Sequence, residues 1–225
     1  MSKPESADAV VTAQAETAQT DVWRGEFGRA YTDRNVRSVD VLNTQWQARY
    51  GVSRQEINQL FLSGVPKEAR FLEVGCNVGN QLLMLREMGY SNLSGVELQP
   101  YAVEIATSRV EGASIRQGSA LSLPHADDAF DLVFTTEVLI HIAPQDIPRV
   151  LDEIHRCAKT YVWGTEYYAP SITEVNYRGH GSLLWKMDYA RQYLERFADL
   201  ELVLEKHLSY LENDNVDTVF LLRKK

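Results

Sequence analysis

The chain lacks the residues that mark disulfide-bonded, zinc-binding or membrane-embedded proteins. Its two cysteines, Cys76 and Cys157, belong to no C-x-x-C pair, so we expect no disulfide framework, no metal site and a cytoplasmic protein. No apolar run approaches the length of a membrane span, and the N-terminus lacks the apolar core of a signal peptide. We therefore expect no membrane partner.

Clustered positive charge is also scarce. The 225 residues include 23 Lys and Arg against 31 Asp and Glu, which gives a formal net charge of −8. Because phosphate contacts need clustered Lys and Arg, nucleic acid is not expected as a partner. The length fits one domain with an elaboration, and we expect a monomer or a homodimer.

Hydrophobic periodicity divides the chain into three parts. Residues 1–20 are rich in Ala, Thr, Gln and Glu and are predicted to form a disordered tail, with a frayed helix as the alternative. Residues 21–66 are predicted to form an N-terminal helical cap, or lid. Residues 67–225 alternate between strands and helices, which predicts a parallel sheet with right-handed crossovers. The predicted strands lie near 70–74, 93–97, 113–117, 130–136 and 160–166, and the helices near 37–49, 53–63, 79–88, 100–110 and 144–157.

The pattern changes towards the end of the chain. A helix near 188–198 leads to strands near 201–208 and 217–222, which we expect to be antiparallel neighbours. The segment 167–187 is long, aromatic and polar. A long insert at the carboxyl edge of such a sheet is where substrates usually bind.

Glycine is missing where a dinucleotide-binding turn would need it. After the first strand comes Gly75, and the pattern G-x-G-x-x-G would then require glycine at 77 and 80, where the chain has Asn77 and Asn80. The chain instead reads E-x-G-x-x-x-G from Glu73 to Gly79. A carboxylate there would repel a pyrophosphate but suits a ligand carrying an ammonium and a sulfonium. The turn favours S-adenosylmethionine, and a nicotinamide cofactor is the weaker alternative.

Four motifs in order carry a family resemblance. LEVGCNVG, GVEL, QGSALSLP and FDLVFTTEVLIHI give residues 71–142 the look of class I S-adenosylmethionine-dependent methyltransferases. Further blocks, EFGRAYTDRN, EYYAP, YRGHGSLLWKMDYA and FLLRK, make the chain similar to the pseudaminic acid biosynthesis-associated methyltransferases. The resemblance implies a Rossmann-like α/β fold. Its sheet would have seven mostly parallel strands and an antiparallel C-terminal strand.

The turn and the next strand supply the first candidate cofactor residues. Gly75 and Gly79 let the backbone approach a ligand closely, and Asn77 tolerates a left-handed backbone. Glu73 is predicted to face the methionine ammonium. Glu97 ends the second strand, where a carboxylate can accept both ribose hydroxyls.

Further cofactor contacts are expected around the adenine. Leu98 would pack on the adenine face, Ser119 and Ala120 occupy the turn near its amine, and Glu137 follows the fourth strand and faces the pocket. These four assignments follow from the resemblance.

The cap offers a lid over the same site. We predict that Arg34 clamps the cofactor carboxylate and that Tyr31 contacts the sulfonium region. The alternative is a helix-start turn with a solvated charge pair.

Candidate catalytic residues lie in two segments near the strand ends. His141 follows the fourth strand and either overlooks the pocket as a base or packs at a junction. Glu166 and Tyr168 end the fifth strand together with Tyr167, a candidate acceptor contact.

The insert supplies the remaining candidates. His180 is a candidate base. Arg178 suits an acceptor carboxylate or phosphate, and Tyr177 lies beside it.

These features predict methyl transfer from S-adenosylmethionine to a small polar metabolite, with S-adenosylhomocysteine as the second product. The resemblance favours a sugar or sugar-derived acid of surface-polysaccharide synthesis. A small-molecule amine or amino-acid N-methyltransferase is the alternative, because acidic residues near 137–168 suit a cationic acceptor. A NAD-dependent sugar dehydrogenase and a catalytically idle cofactor-binding protein also stay open.

Overall fold

The computed structural model describes residues 17–179 and 181–225. Its strands include all those predicted from periodicity, displaced by at most a few residues at their ends. In chain order the strands are β1 (Phe71–Val74), β2 (Leu93–Glu97), β3 (Ser114–Gln117), β4 (Phe130–Thr136), β5 (Ala158–Tyr167), β6 (Thr173–Glu174), β7 (Trp185–Lys186), β8 (Leu200–Ser209) and β9 (Val216–Lys224).

Seven of these strands form one sheet in the order β3-β2-β1-β4-β5-β9-β8. β1 to β5 are mutually parallel, whereas β9 runs antiparallel to both β5 and β8. The chain winds outward from β1 to β3 and then crosses back to β4. Ligands of open α/β sheets bind at such a reversal, outside the carboxyl ends of the strands. The predicted Rossmann-like class I fold is confirmed.

Helices cover both faces of this sheet. They are α1 (Ala18–Arg24), α2 (Glu26–Arg34), α3 (Val39–Tyr50), α4 (Arg54–Leu62), α5 (Asn80–Glu87), α6 (Pro100–Arg109), α7 (Ile147–Cys157) and α8 (Tyr189–Arg196), with a 3₁₀ turn at Leu139–His141. A capping box starts α4: Ser53 and Glu56 bond reciprocally across its first turn. No helix among the described residues is long and apolar enough to cross a lipid bilayer.

The strands at the centre of the sheet are buried on both faces. All four residues of β1 are inaccessible or nearly so, as expected for a parallel sheet between helical layers. On one face Phe71, Phe134 and Trp163 pack against α4 and α5, and on the other Val133 and Val162 pack against α7. This packing holds the strand ends rigidly, so it also positions the loops that follow them.

The N-terminal segment differs in detail from the sequence prediction. Helix α1 begins at Ala18, inside the segment 1–20 predicted as a tail, and α2 follows it directly. Gly28 in α2 allows close packing, because a Cβ there would lie 1.7 Å from the Trp23 carbonyl oxygen. The boundaries of tail, cap and insert stay predictions.

Candidate functional site

The turn after β1 has a left-handed backbone at three alternate positions. Gly75 has φ 72°, Asn77 has φ 44° and Gly79 has φ 74°. A Cβ at Gly75 would lie 2.7 Å from a Val138 methyl group, and one at Gly79 would lie 2.7 Å from a Val110 methyl group. Glycine is therefore required at 75 and 79 for both conformation and space, while Asn77 supplies the middle position.

The Glu97 carboxylate ties the end of β2 to this turn. Its Oε2 accepts the Asn77 N–H and its Oε1 accepts the Gln99 N–H, both at 2.8 Å. Burial raises the pKa of Glu97, and the backbone N–H groups of Gln99, Asn77 and Leu98 oppose that rise. The carboxylate is thus fixed in orientation, with its remaining lone pairs available to a ligand.

Glu97 faces the first of two adjoining cavities, which we term the inner cavity. It has a volume of about 150 Å³ and is bounded by the turn, the end of β2, the Gly118–Leu121 loop and helices α1 and α2. The predicted cofactor residues that line it are Tyr31, Gly75, Asn77, Glu97, Leu98, Ser119, Ala120 and Glu137. Sequence positions far apart therefore meet around one elongated space.

The second cavity is larger, at about 510 Å³, and we term it the arginine cavity. Five arginines line it, with Glu73 and Glu137 as its acids. It shares Tyr31, Gly75, Asn77, Thr136 and Glu137 with the inner cavity, so the two cavities meet at the carboxyl ends of β1 and β4. The five are Arg34, Arg37, Arg49, Arg54 and Arg178.

Two buried acceptors at this junction have no donor within the described chain. They are Glu73 Oε2 and Asn77 Oδ1. Burial raises the pKa of Glu73 to about 8, which the nearby Arg54 cation opposes and the Glu97 carboxylate reinforces. A ligand ammonium would provide both acceptors with a donor and would favour ionised Glu73. The residues present therefore fit the methionine end of S-adenosylmethionine.

Sequence reasoning missed Arg54, which is the most buried of the five arginines. Its Nε donates to Gln81 Oε1 at 2.7 Å, its Nη2 donates to Thr136 Oγ1 at 3.1 Å, and it lies 4.5 Å from the centre of the Trp46 ring. One sequence signal was available. Arg54 is the first residue of α4, where a cation interacts unfavourably with the helix dipole. An arginine at this position therefore indicates a role outside the helix.

Helices α1 and α2 close the inner cavity with aromatic rings. Trp23 lies 4.4 Å from the His141 ring and 5.2 Å from the Tyr31 ring, and Tyr177 lies 5.3 Å from His141. A hydrogen bond links α1 to the segment after β2: Gln99 Nε2 donates to the Arg24 carbonyl at 2.7 Å. The cap is thus seated on the site in this conformation.

His141 both lines the inner cavity and packs at a junction. Its Nδ1 lies 2.8 Å from the Leu183 carbonyl oxygen, which can only accept, so Nδ1 carries the proton and Nε2 has a free lone pair. Burial lowers the pKa of His141 to about 4. The ring is therefore neutral at physiological pH.

Two predicted catalytic residues lie outside both cavities. Glu166 is inaccessible to solvent, and its carboxyl oxygens accept the Val138 and Ile140 N–H groups at 3.3 and 3.4 Å, beneath the 3₁₀ turn. Tyr168 turns towards β8, with its ring 4.2 Å from His207. Neither lines the site: the alternation along β5 directs Tyr167 to the cavity and Glu166 to the opposite side, and Tyr168 lies beyond the end of β5.

The remaining candidates divide into two groups. Tyr167, Tyr177, Arg178 and Arg34 all line the arginine cavity. His180 lies outside the described residues. In the part of the chain that is described, no group of His, Cys, Asp and Glu side chains has the arrangement of a metal site.

Comparisons with known proteins agree with this geometry. Residues 72–161 match the family model described as a methyltransferase domain. Methyltransferase GfsG of Streptomyces halstedii is 29% identical over 93 residues, covering 39% of this chain and 33% of that protein. Norajmaline N-methyltransferase of Rauvolfia serpentina is 30% identical over 98 residues, covering 41% and 33%. The match thus spans about a third of the length of these relatives.

A solved structure extends the likeness beyond the matched segment. A S-adenosylmethionine-dependent methyltransferase from Methanosarcina mazei superposes with a TM-score of 0.61 at 17% identity, over 73% of this chain and 96% of that one. At this identity the likeness concerns the fold. Residues 72–161 of the chain are thus similar to a methyltransferase domain, and the wider likeness is one of fold.

Proposed function

We propose that the protein transfers a methyl group from S-adenosylmethionine to a small polar acceptor, a sugar or sugar-derived acid. The observation that carries this proposal is the pair of adjoining cavities. The inner cavity offers Glu97 and Ser119 as candidate partners of an adenosine, and it meets the arginine cavity at Asn77 and Glu137. The resemblance to methyltransferases associated with pseudaminic acid biosynthesis supports a sugar-acid acceptor.

Each end of the cofactor has a set of candidate partners. Glu97 would accept the ribose hydroxyls, and Glu73 with Asn77 would accept the ammonium. Arg34 or Arg54 would bind the carboxylate. When bound, S-adenosylmethionine supplies an electrophilic methyl group. The protein's main contribution is then to align an acceptor with that methyl group and to exclude water, which can be worth roughly 7–11 kcal/mol.

Proton removal is needed only when the acceptor is a hydroxyl group. His141 has an unprotonated Nε2 in the wall of the inner cavity, and Glu137 lies where the two cavities meet. The nearby Glu137 carboxylate and burial raise the pKa of Tyr167, so this phenol stays protonated and can orient an acceptor by hydrogen bonds. His180 remains a candidate base in the insert.

Binding of S-adenosylhomocysteine tests the cofactor half of the proposal. In Glu97→Gln, an amide NH₂ replaces one carboxylate oxygen and faces a backbone N–H, and the charge is lost. Loss of the charge and of one acceptor oxygen removes one charge-assisted hydrogen bond of about 1.5–3 kcal/mol, which predicts a roughly 10- to 100-fold higher Kd by calorimetry. Glu104→Gln, on the exposed side of α6, is the matched control and should not change the Kd.

Mass spectrometry tests the transfer itself. The protein is incubated with S-adenosylmethionine and nucleotide sugars, nonulosonic acids, amino acids or amines, and each product is examined for the gain of one methyl group. A methylated sugar or sugar acid is the expected result. Binding of NAD in place of S-adenosylhomocysteine would contradict the proposal and favour a dehydrogenase.

An amine acceptor is the second candidate. It is favoured by the likeness to a relative named as an N-methyltransferase and by the two carboxylates, Glu73 and Glu137, that line the arginine cavity. A methylated amine in the same experiment would replace the sugar-acid proposal.

A further inference from the structure

The arginine cavity carries an excess of positive charge in a protein that is negative overall. Five arginines line it against two glutamates, an excess of at least three positive charges. The whole chain has a net charge of −8. None of the five arginines takes part in an ion pair formed between described residues. Cations gathered in a concave, partly desolvated wall repel one another unless an anion joins them.

The cofactor cannot balance this excess. The methionine end of S-adenosylmethionine adds one ammonium and one carboxylate, which cancel, and its sulfonium adds a further positive charge. One arginine would be occupied by the cofactor carboxylate. The others would still face the space in which the acceptor must lie.

Arg49 is one of the arginines that remain. It is half-buried in the last turn of α3, and its guanidinium lies 5.2 Å from the Tyr210 ring and 5.8 Å from the Tyr50 ring. The nearby Asp217 carboxylate does not pair with it. Asp217 Oδ2 instead accepts the hydroxyls of both Tyr50 and Tyr210.

Two further residues that line this cavity complete an acceptor subsite. Tyr167 lines the same cavity and, across the β5–β9 ladder, is the register partner of Asp217. Arg178 lines the cavity from the insert, held by a left-handed backbone at φ 55°. Guanidinium groups bind carboxylate and phosphate bidentately.

We propose that Arg49, together with Arg178, binds an oxyanion of the methyl acceptor, so that the substrate class is an acid or a phosphate ester. This inference rests on the proposed methyl transfer and narrows its substrate. Arg49 acts here as a substrate-binding residue. The carboxylate and the phosphate share the recognition chemistry, and the experiment separates them.

The test uses the full chain saturated with S-adenosylhomocysteine, so that the cofactor site is closed to other anions. Citrate and inorganic phosphate are titrated separately by calorimetry at constant ionic strength. Binding of at least one probe is expected, and Arg49→Gln should weaken it at least tenfold. Tighter binding of citrate would identify a carboxylate subsite, and tighter binding of phosphate a phosphate subsite.

Two further variants control for non-specific loss of charge and for misfolding of Arg49→Gln. Arg70→Gln removes an arginine at the amino end of β1, away from the cavities, where Arg70 pairs with Asp131 at 3.1 Å. This variant should leave anion binding unchanged. Arg178 lies outside the helices, so Arg178→Gln tests the same subsite if Arg49→Gln fails to fold. If neither probe binds, or if both bind equally well to Arg49→Gln and Arg178→Gln, the anion subsite is refuted. Because S-adenosylhomocysteine binding is measured first, its absence would instead overturn the proposed methyl transfer.

Discussion

We expect the affinity for S-adenosylhomocysteine to rise with pH, because the carboxyl group that would hold its ammonium is protonated in the unliganded protein. Glu73 is only 3% exposed, and its Oε2 has no hydrogen-bond partner among the described residues. Burial raises its pKa to about 8 despite the opposing effect of Arg54. Near pH 7 most Glu73 side chains therefore carry a proton that must leave when an ammonium binds.

The size of the effect follows from the ionised fraction of Glu73. With a pKa of about 8, this fraction rises from ~1% at about pH 6 to ~24% at about pH 7.5. The affinity should therefore increase roughly 25-fold, or about 2 kcal/mol, across that interval. Calorimetry near pH 7 in two buffers of different ionisation enthalpy should show the release of about 0.9 proton per ligand bound.

Two variants identify the group responsible. Glu73→Gln should bind more weakly and show no such pH dependence, because its amide does not titrate. Burial also raises the pKa of Asp217, to about 7, so Asp217→Asn is the control for a second titration in the same interval and should retain the slope. A wild-type affinity that stays flat from about pH 6 to about pH 7.5 would refute the assignment of Glu73 to the ammonium.

Two further substitutions separate the shape of the site from the stability of the fold. Gly75→Ala should abolish cofactor binding, since its Cβ would lie 2.7 Å from Val138; Gly89→Ala, with a similar positive φ and nothing within 4 Å, should bind normally. Glu166→Gln should lower the free energy of unfolding by about 1–3 kcal/mol, measured in urea, because one N–H of Val138 or Ile140 loses its acceptor. Its Kd for S-adenosylhomocysteine should not change, and a tenfold change would show that Glu166 acts in the site.

Protonation of Glu166 predicts a second difference between Glu166→Gln and the wild type, in how the free energy of unfolding depends on pH. Burial raises the pKa of Glu166 to about 8, far above the ordinary value for an unfolded chain, so the folded protein holds the proton more tightly. This contribution to stability is complete below about pH 4.5 and is lost as the pH rises towards 8. Glu166→Gln should lose that part of the pH dependence.

The parts of the fold that were predicted correctly depend on local signals. Strand β1 and the turn after it form a short apolar run followed by glycines, and the start of α4 has a capping box. The bounds of helices α1 and α2 could not be predicted, although α2 lies within the predicted helical cap, because their stability comes from packing. The glycine inside α2 weakens its helical pattern, yet only glycine fits against the Trp23 carbonyl.

The same contrast between local signals and long-range packing explains which parts of the candidate site could be predicted from the sequence. The backbone of the turn at Gly75 and Asn77 is set by its own residues, so its left-handed conformation could be predicted. The arginine cavity could not, because Arg37, Arg49, Arg54 and Arg178 come from separate segments. Among these four, the sequence predicts an anion contact only for Arg178, and the convergence of the arginines depends on how α3 and α4 pack beside the sheet.

The contrast between an acidic chain and a cationic cavity has a physical consequence for substrate capture. Charges on the outer surface are screened over about 8 Å at physiological ionic strength, so the net charge of −8 repels an approaching anion only weakly. The cavity arginines act at contact distance, in surroundings from which water is partly excluded, and their attraction is screened much less. An anionic acceptor would thus gain its affinity after entry, from Arg49 and its neighbours, and salt should affect its dissociation less than its rate of encounter.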